Sequence, residues 1–203
     1  QTDNSIYGRD LEQGRANYHA LTPINFLERS ASVYPDKTAV IHADTQFTYA
    51  QFYARCRRLA SALSRRGIGL GDTGSVMAPN VPALLEAHYG VPMVGAVLNA
   101  LNYRLDAGTI AFLLEHANTK LLITDREFSG TIAAALAKMD APPVVIDIDD
   151  PAFTGGTLLG EKDYEALLLE GSSEDPYESP SDEWQAISLC YHPGPTGNPK
   201  GVV

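Results

Sequence analysis

Short apolar runs alternating with stretches of helical spacing govern most of this chain. From residue 73 onward Gly74-Ser-Val-Met-Ala78, Val97-Leu-Asn99, Leu121-Leu-Ile-Thr124, Val144-Val-Ile-Asp-Ile148 and Ala186-Ile-Ser-Leu-Cys-Tyr191 read as strands. Between them Val81 to Gly95, Asp106 to Ala117, a stretch ending near Met139, and Tyr164 to Leu169 read as helices. Apolar runs rich in β-branched residues suit strands buried on both faces, and alternating strand and helix joins parallel strands through crossover helices. The pattern predicts an α/β fold: a largely parallel sheet flanked by helices.

The first part of the chain reads differently. Residues 1–20 are polar and irregular and form an N-terminal arm, expected to pack on the body. Thr22-Pro23 then opens a helix through Phe26, Leu27 and Val33, because threonine caps and proline suits the first turn. Pro35-Asp36 ends it, and Thr38-Ala-Val-Ile-His42 with Gln46-Phe-Thr48 predict a small β-hairpin around Ala43-Asp44-Thr45. Thr48 caps a long helix with Phe52, Cys56, Leu59, Ala60 and Leu63 on one face and Gly67 beyond its end. Its arginines read as a solvated face with acidic partners. Residues 151–182, rich in Gly, Ser, Asp, Glu and Pro, predict a loop-rich acidic insertion with one helix, kept in solvent.

Composition bounds the partners. The chain has 203 residues, 44% of them hydrophobic, and 15 basic against 25 acidic residues give a formal charge of −10. That balance disfavours nucleic acid and anionic membrane, so an anionic ligand needs a local site. Cys56 and Cys190 form neither a disulfide framework nor a metal motif and read as buried small hydrophobes in a reducing compartment. No apolar run is long enough for a membrane span, and the polar start lacks a secretory pattern, so a cytoplasmic protein is expected. The five histidines show no paired spacing for a metal, and none is predicted. His88 and His116 read as capped or solvated helix residues.

Chemistry concentrates at Tyr191-His-Pro-Gly-Pro-Thr-Gly-Asn-Pro-Lys-Gly201, directly after the last strand. Gly194, Gly197 and Gly201 allow close backbone approach to a ligand, Thr196 offers a hydroxyl and Lys200 a positive charge, a set that suits a triphosphate. The Walker spacing is absent, since Pro199 precedes the lysine and Gly201 follows it. Ligands of open α/β sheets gather beyond the carboxyl ends of strands, where this segment lies.

The segment resembles the Tyr-Thr-Ser-Gly-Thr-Thr-Gly-x-Pro-Lys-Gly signature of the adenylate-forming (AMP-binding) superfamily. Tyr191, Gly194, Thr196, Gly197, Pro199, Lys200 and Gly201 match; His192, Pro193 and Pro195 depart from it. Each departure removes a hydroxyl, and each proline also removes a backbone donor. Leu21-Thr-Pro-Ile-Asn-Phe-Leu-Glu-Arg29, Phe47-Thr-Tyr49, Ala78-Pro-Asn80, His88-Tyr-Gly-Val-Pro-Met93 and Gly95-Ala-Val-Leu-Asn-Ala-Leu-Asn102 are similar to acyl-CoA synthetases of the short- and medium-chain branch, such as methylmercaptopropionate-CoA ligases.

The resemblance implies that residues 21–203 are part of the large N-terminal adenylation domain of a longer enzyme, with the phosphate loop at 191–201 and a C-terminal domain absent. It implies ATP-dependent activation of a small carboxylic acid to acyl-adenylate and then acyl-CoA, with ATP, Mg²⁺ and coenzyme A as substrates and a place in fatty acid metabolism. Gly194, Thr196, Gly197, Lys200 and Gly201 would bind the ATP phosphates. The acid pocket and catalytic lysine would lie beyond residue 203, so these residues alone are expected to be inactive. A homo-oligomer is compatible with this reading. A degenerate non-catalytic relative and an adenylation domain serving a carrier protein are the alternatives.

Overall fold

The computed structural model describes residues 6–8, 12, 14, 16–192 and 199–203. Helix α1 (Pro23–Val33) begins with Pro23 in its first turn, and Asn25 Oδ1 accepts from Thr22 N at 2.9 Å. The hairpin follows as β1 (Thr38–His42) and β2 (Thr45–Thr48), paired antiparallel with His42 opposite Thr45. Helix α2 (Tyr49–Arg65) opens on a capping box in which Thr48 Oγ1 accepts from Gln51 N and Gln51 Oε1 accepts from Thr48 N. It closes where Gly67 takes a φ of 76° and Ile68 N donates to Leu63 O at 3.0 Å, the left-handed exit that glycine adopts without a Cβ clash.

Strand β3 (Thr73–Met77), helix α3 (Pro82–Gly90), β4 (Val97–Ala100), α4 (Ala107–His116), β5 (Thr119–Asp125), α5 (Ser129–Leu136) and β6 (Val144–Ile148) then alternate. Asp106 caps α4 by accepting from Gly108 N and Thr109 N. The helix expected from Val81 to Gly95 is shorter: α3 stops at Gly90, and a 3-10 turn over Pro92–Val94 follows, since Pro92 cannot donate to a continuing ladder. Two-residue β7 (Lys162–Asp163), α6 (Tyr164–Glu170), β8 (Ser188–His192) and β9 (Lys200–Val202) complete the described elements.

Among the described residues the main sheet has seven strands in the order β7-β6-β5-β3-β4-β8-β9. All neighbours are parallel except β8 and β9, which are antiparallel. Every residue of central β3 is buried, as expected for a strand covered on both faces. On one face Val76, Leu98, Leu121, Ile123 and Ile146 meet α2, α3 and α6 through Leu59, Leu63, Ala87 and Leu167. On the other Met77 and Leu122 meet Ile110, Leu113 and Leu114 of α4 and Ile132 of α5. A third cluster seats α1 and the hairpin on α2 through Ile24, Leu27, Val40, Phe52 and Cys56. Helices α2 and α3 approach closely at Gly90, where a Cβ would lie 2.8 Å from Leu59 Cδ2 and 2.9 Å from Cys56 O.

Two further expectations need correction. Cys190 is exposed, because β8 alternates and directs Leu189 and Tyr191 inward while Cys190 takes the other face; Cys56 is buried. The acidic insertion is not simply solvated: Tyr164, Leu167 and Leu168 of α6 are in the core, and Asp175 accepts from Ser61 Oγ at 2.6 Å and Arg65 Nη2 at 2.8 Å.

Candidate nucleotide-phosphate site

Strand β8 lies beside β4, with Ser188 opposite Leu98 and Leu189 opposite Asn99. Because the pairing is parallel, the carboxyl end of β8 shares an edge of the sheet with the ends of β3, β4, β5 and β6. The antiparallel partner β9 sets His192 opposite Lys200, Tyr191 opposite Gly201 and Cys190 opposite Val202. His192 and Lys200, the residues in register nearest the glycine-rich segment, are thus side by side at that edge. Gly194, Thr196 and Gly197, and the departures Pro193 and Pro195, lie outside the described residues.

The ends of the expected loop are strands. Lys200 is exposed at the first position of β9, in register with exposed His192 at the last position of β8. Gly201 answers a packing need within the protein: a Cβ there would lie 2.9 Å from Leu189 Cδ1 and 3.5 Å from the Tyr191 ring. Tyr191 is partly buried against the α4–α5 cluster, which anchors the strand end. Burial pushes its phenol pKa up, so the hydroxyl keeps its proton. That hydroxyl is 2.7 Å from His116 Nδ1, and the two rings meet edge-on at 5.7 Å. His116 is thus tied to the candidate site, whereas His88 only meets Leu84 O of its own helix, at 2.8 Å. No spacing in the sequence signals the His116 contact, which joins residues 75 positions apart.

A second polar cluster carries structure instead. Glu86 is fully buried and takes Arg55 Nε at 2.6 Å and the Tyr164 hydroxyl at 2.8 Å, while Arg55 also reaches Glu165 at 2.6 Å. Burial raises the Glu86 pKa against the lowering pull of its Arg55 bonds. Burial opposes the charge on Arg55, and the bonds to Glu165 and Glu86 outweigh it and hold its pKa up. The signal for this cluster was a single acid, Glu86, in the otherwise apolar Pro82-Ala-Leu-Leu-Glu-Ala87. The neighbouring thiol of Cys56 is pushed well up by burial, which makes it inert as a nucleophile.

A cavity of about 690 Å³ opens between the hairpin, the start of α3, the end of β6 and the start of α6, lined among others by His42, Arg55, Asp150 and Glu165. It includes no residue of β8 or β9 and holds Asp44, Asp149, Asp150, Asp163 and Glu165 against Arg55 and His42. That excess of carboxylates repels a triphosphate. Among the described residues no group of three His, Cys, Asp or Glu side chains could hold a metal ion, and no helix is long and apolar enough to cross a membrane.

The chain has its counterpart in a protein family. The model of the AMP-binding enzyme family matches residues 27–203, and the chain belongs to that family. It is 47% identical over 206 residues to an acetate–CoA ligase, CCL3, of Humulus lupulus, covering 96% of this chain and 36% of that protein. It is 45% identical to the peroxisomal acetate/butyrate–CoA ligase AAE7 of Arabidopsis thaliana, with the same coverage of 96% and 36%. The chain thus spans little more than a third of the length of these relatives. Among solved structures, the anthranilate CoA ligase AuaEII superposes with a TM-score of 0.81 at 20% identity over 94% of this chain and 36% of that one, which shows the fold. A Mycobacterium tuberculosis fatty acyl CoA synthetase gives 0.71 at 27% identity, covering 88% and 33%.

Proposed function

We propose that the whole protein to which these residues contribute is an AMP-forming acid–thiol ligase. Residues 21–203 would supply part of its N-terminal adenylation domain, preceded by an arm at 1–20. MgATP, a small carboxylic acid and coenzyme A would be its substrates. The acid's carboxylate oxygen attacks the α-phosphorus, the bond to pyrophosphate breaks, and acyl-adenylate forms. The CoA sulfur then attacks the acyl carbon, AMP leaves, and the thiol proton passes to solvent. The observation that carries this reading is the family match, supported by the place of His192 and Lys200, which flank the glycine-rich sequence, at the carboxyl edge of the sheet.

In this reading Gly194, Thr196 and Gly197 present backbone and hydroxyl donors to the triphosphate, and Lys200 neutralises charge as pyrophosphate departs. Gly201 acts by letting β9 lie against Leu189 and Tyr191. Because the relatives are nearly three times as long, the 203 residues alone are expected to make no acyl-adenylate. Pro193 and Pro195 favour a second reading, a relative whose phosphate affinity is lost, since neither can donate a backbone hydrogen bond. The proposed compartment is the cytoplasm, on the strength of two free cysteines; the name of AAE7 supplies the peroxisome as the outcome that fractionation would distinguish.

The test is to incubate the whole protein with MgATP, CoA and a panel of short and medium carboxylic acids, and to measure products by mass. AMP with the matching acyl-CoA supports the ligase. Acyl-adenylate that passes only to a carrier-protein thiol would replace the acceptor. Neither product from any acid would favour the non-catalytic relative.

A further inference from the structure

Tyr191 is held from several directions at the point where β8 reaches the sheet edge. Its hydroxyl meets His116 Nδ1 at 2.7 Å, and its ring borders Gly201 across the ladder, where a Cβ would lie 3.5 Å away. His116 stands in the last turn of α4 with its ring 5.5 Å from that of Phe112 one turn earlier. The imidazole is thus itself fixed by a neighbour on the helix. Lys200 follows in this chain of contacts, being the residue before Gly201 on β9 and the ladder partner of His192.

The hydroxyl–imidazole bond is not what holds the fold together. Strand β8 is already paired to β4 and β9, and α4 is seated by Ile110, Leu113 and Leu114 without it. What the bond adds is a second hold on the carboxyl end of β8, the strand next to the sheet's last, β9. A charged donor aimed at a substrate accelerates its reaction only if it is oriented beforehand, so a tie that fixes the base of such a donor acts on substrate binding.

We propose that His116 is a positioning residue for Lys200, acting through Tyr191 and Gly201 to set where the lysine meets the ATP phosphates. The assignment rests on the ligase reading above. It requires that losing His116 matters only while Lys200 is present, a dependence that a purely structural contact lacks.

The experiment is a set of kinetic double-mutant cycles in the whole protein, reading KM for MgATP and for the acid by pyrophosphate exchange. His116→Ala and Tyr191→Phe should each raise KM for MgATP by roughly three- to tenfold, the scale of one hydrogen bond, and leave KM for the acid unchanged. The two together should do no more than either alone, because they remove one contact. His116→Gln, which keeps a hydrogen-bonding partner for the phenol, should recover most of the loss. In a Lys200→Ala background, His116→Ala should add nothing. Additive losses, an equal rise in KM for the acid, or no change on His116→Ala would overturn the positioning role while leaving the ligase reading intact. No exchange by the unsubstituted protein with any acid would overturn both.

Discussion

His192 and Lys200 stand opposite each other in the antiparallel β8–β9 ladder. The two ends of the glycine-rich segment are therefore side by side at the carboxyl edge of the sheet, with Lys200 exposed.

Substituting the hydroxyl residues of the family signature, by His192→Thr, Pro193→Ser and Pro195→Thr together, should strengthen MgATP binding. The triple variant returns two backbone donors and three hydroxyls. At about 1.4 kcal/mol per factor of ten, two recovered charge-assisted bonds correspond to a dissociation constant at least about tenfold lower. Calorimetric titration of the whole protein checks this; equal or weaker binding would show that the prolines preshape the segment instead.

Glu86 and Arg55 make a separate, structural prediction. Glu86→Ala should destabilise the protein by about 3–5 kcal/mol, because it strips a partner from a partly buried guanidinium and from the Tyr164 hydroxyl. Replacing both charges, Arg55→Leu with Glu86→Leu, should cost much less. Urea unfolding of the three proteins decides it, and equal losses in the single and double variants would contradict the account.

Glu170 predicts a pH dependence. Hydrogen bonds from Arg66 and from Lys162 lower its pKa from the ordinary 4.5 to about 2. The folded state thus binds this proton less readily than the unfolded chain. Its stabilising contribution is complete above about pH 4.5 and is lost as pH falls toward 2. Thermal melting across that window should be less steep in Glu170→Gln, and high salt should shrink the difference. Parallel profiles for the two proteins would mean that the Arg66–Glu170–Lys162 contacts add nothing to folding.

Local signals carried much of the architecture. Thr48 with Gln51, Asp106 before α4 and Gly67 after α2 each act within a few residues of chain, so the helix boundaries they set were legible. The apolar runs at 121–124 and 144–148 became buried parallel strands for the same reason. What was not legible depends on partners distant in sequence. Lys162–Asp163 is a strand only because Ile146 and Asp147 lie beside it, and Lys200–Val202 only because β8 does. The glycine-rich motif and the edge it would occupy could be read in advance, but His116 could not, since its meaning comes from Tyr191, brought near by packing of α4 on the sheet. Gly201 was read as opening space for a ligand, and the structure gives it a neighbour in its own protein, Leu189.

The most direct test of the central claim is acid-dependent ATP–pyrophosphate exchange by the whole protein, compared with Lys200→Ala. We predict exchange with at least one short or medium carboxylic acid, and a fall on the order of 10²–10³ in rate for the variant with unchanged melting, the usual effect of removing one preorganised charged donor. Exchange that proceeds equally well without Lys200, or that appears with no acid at all, would contradict the assignment of this site.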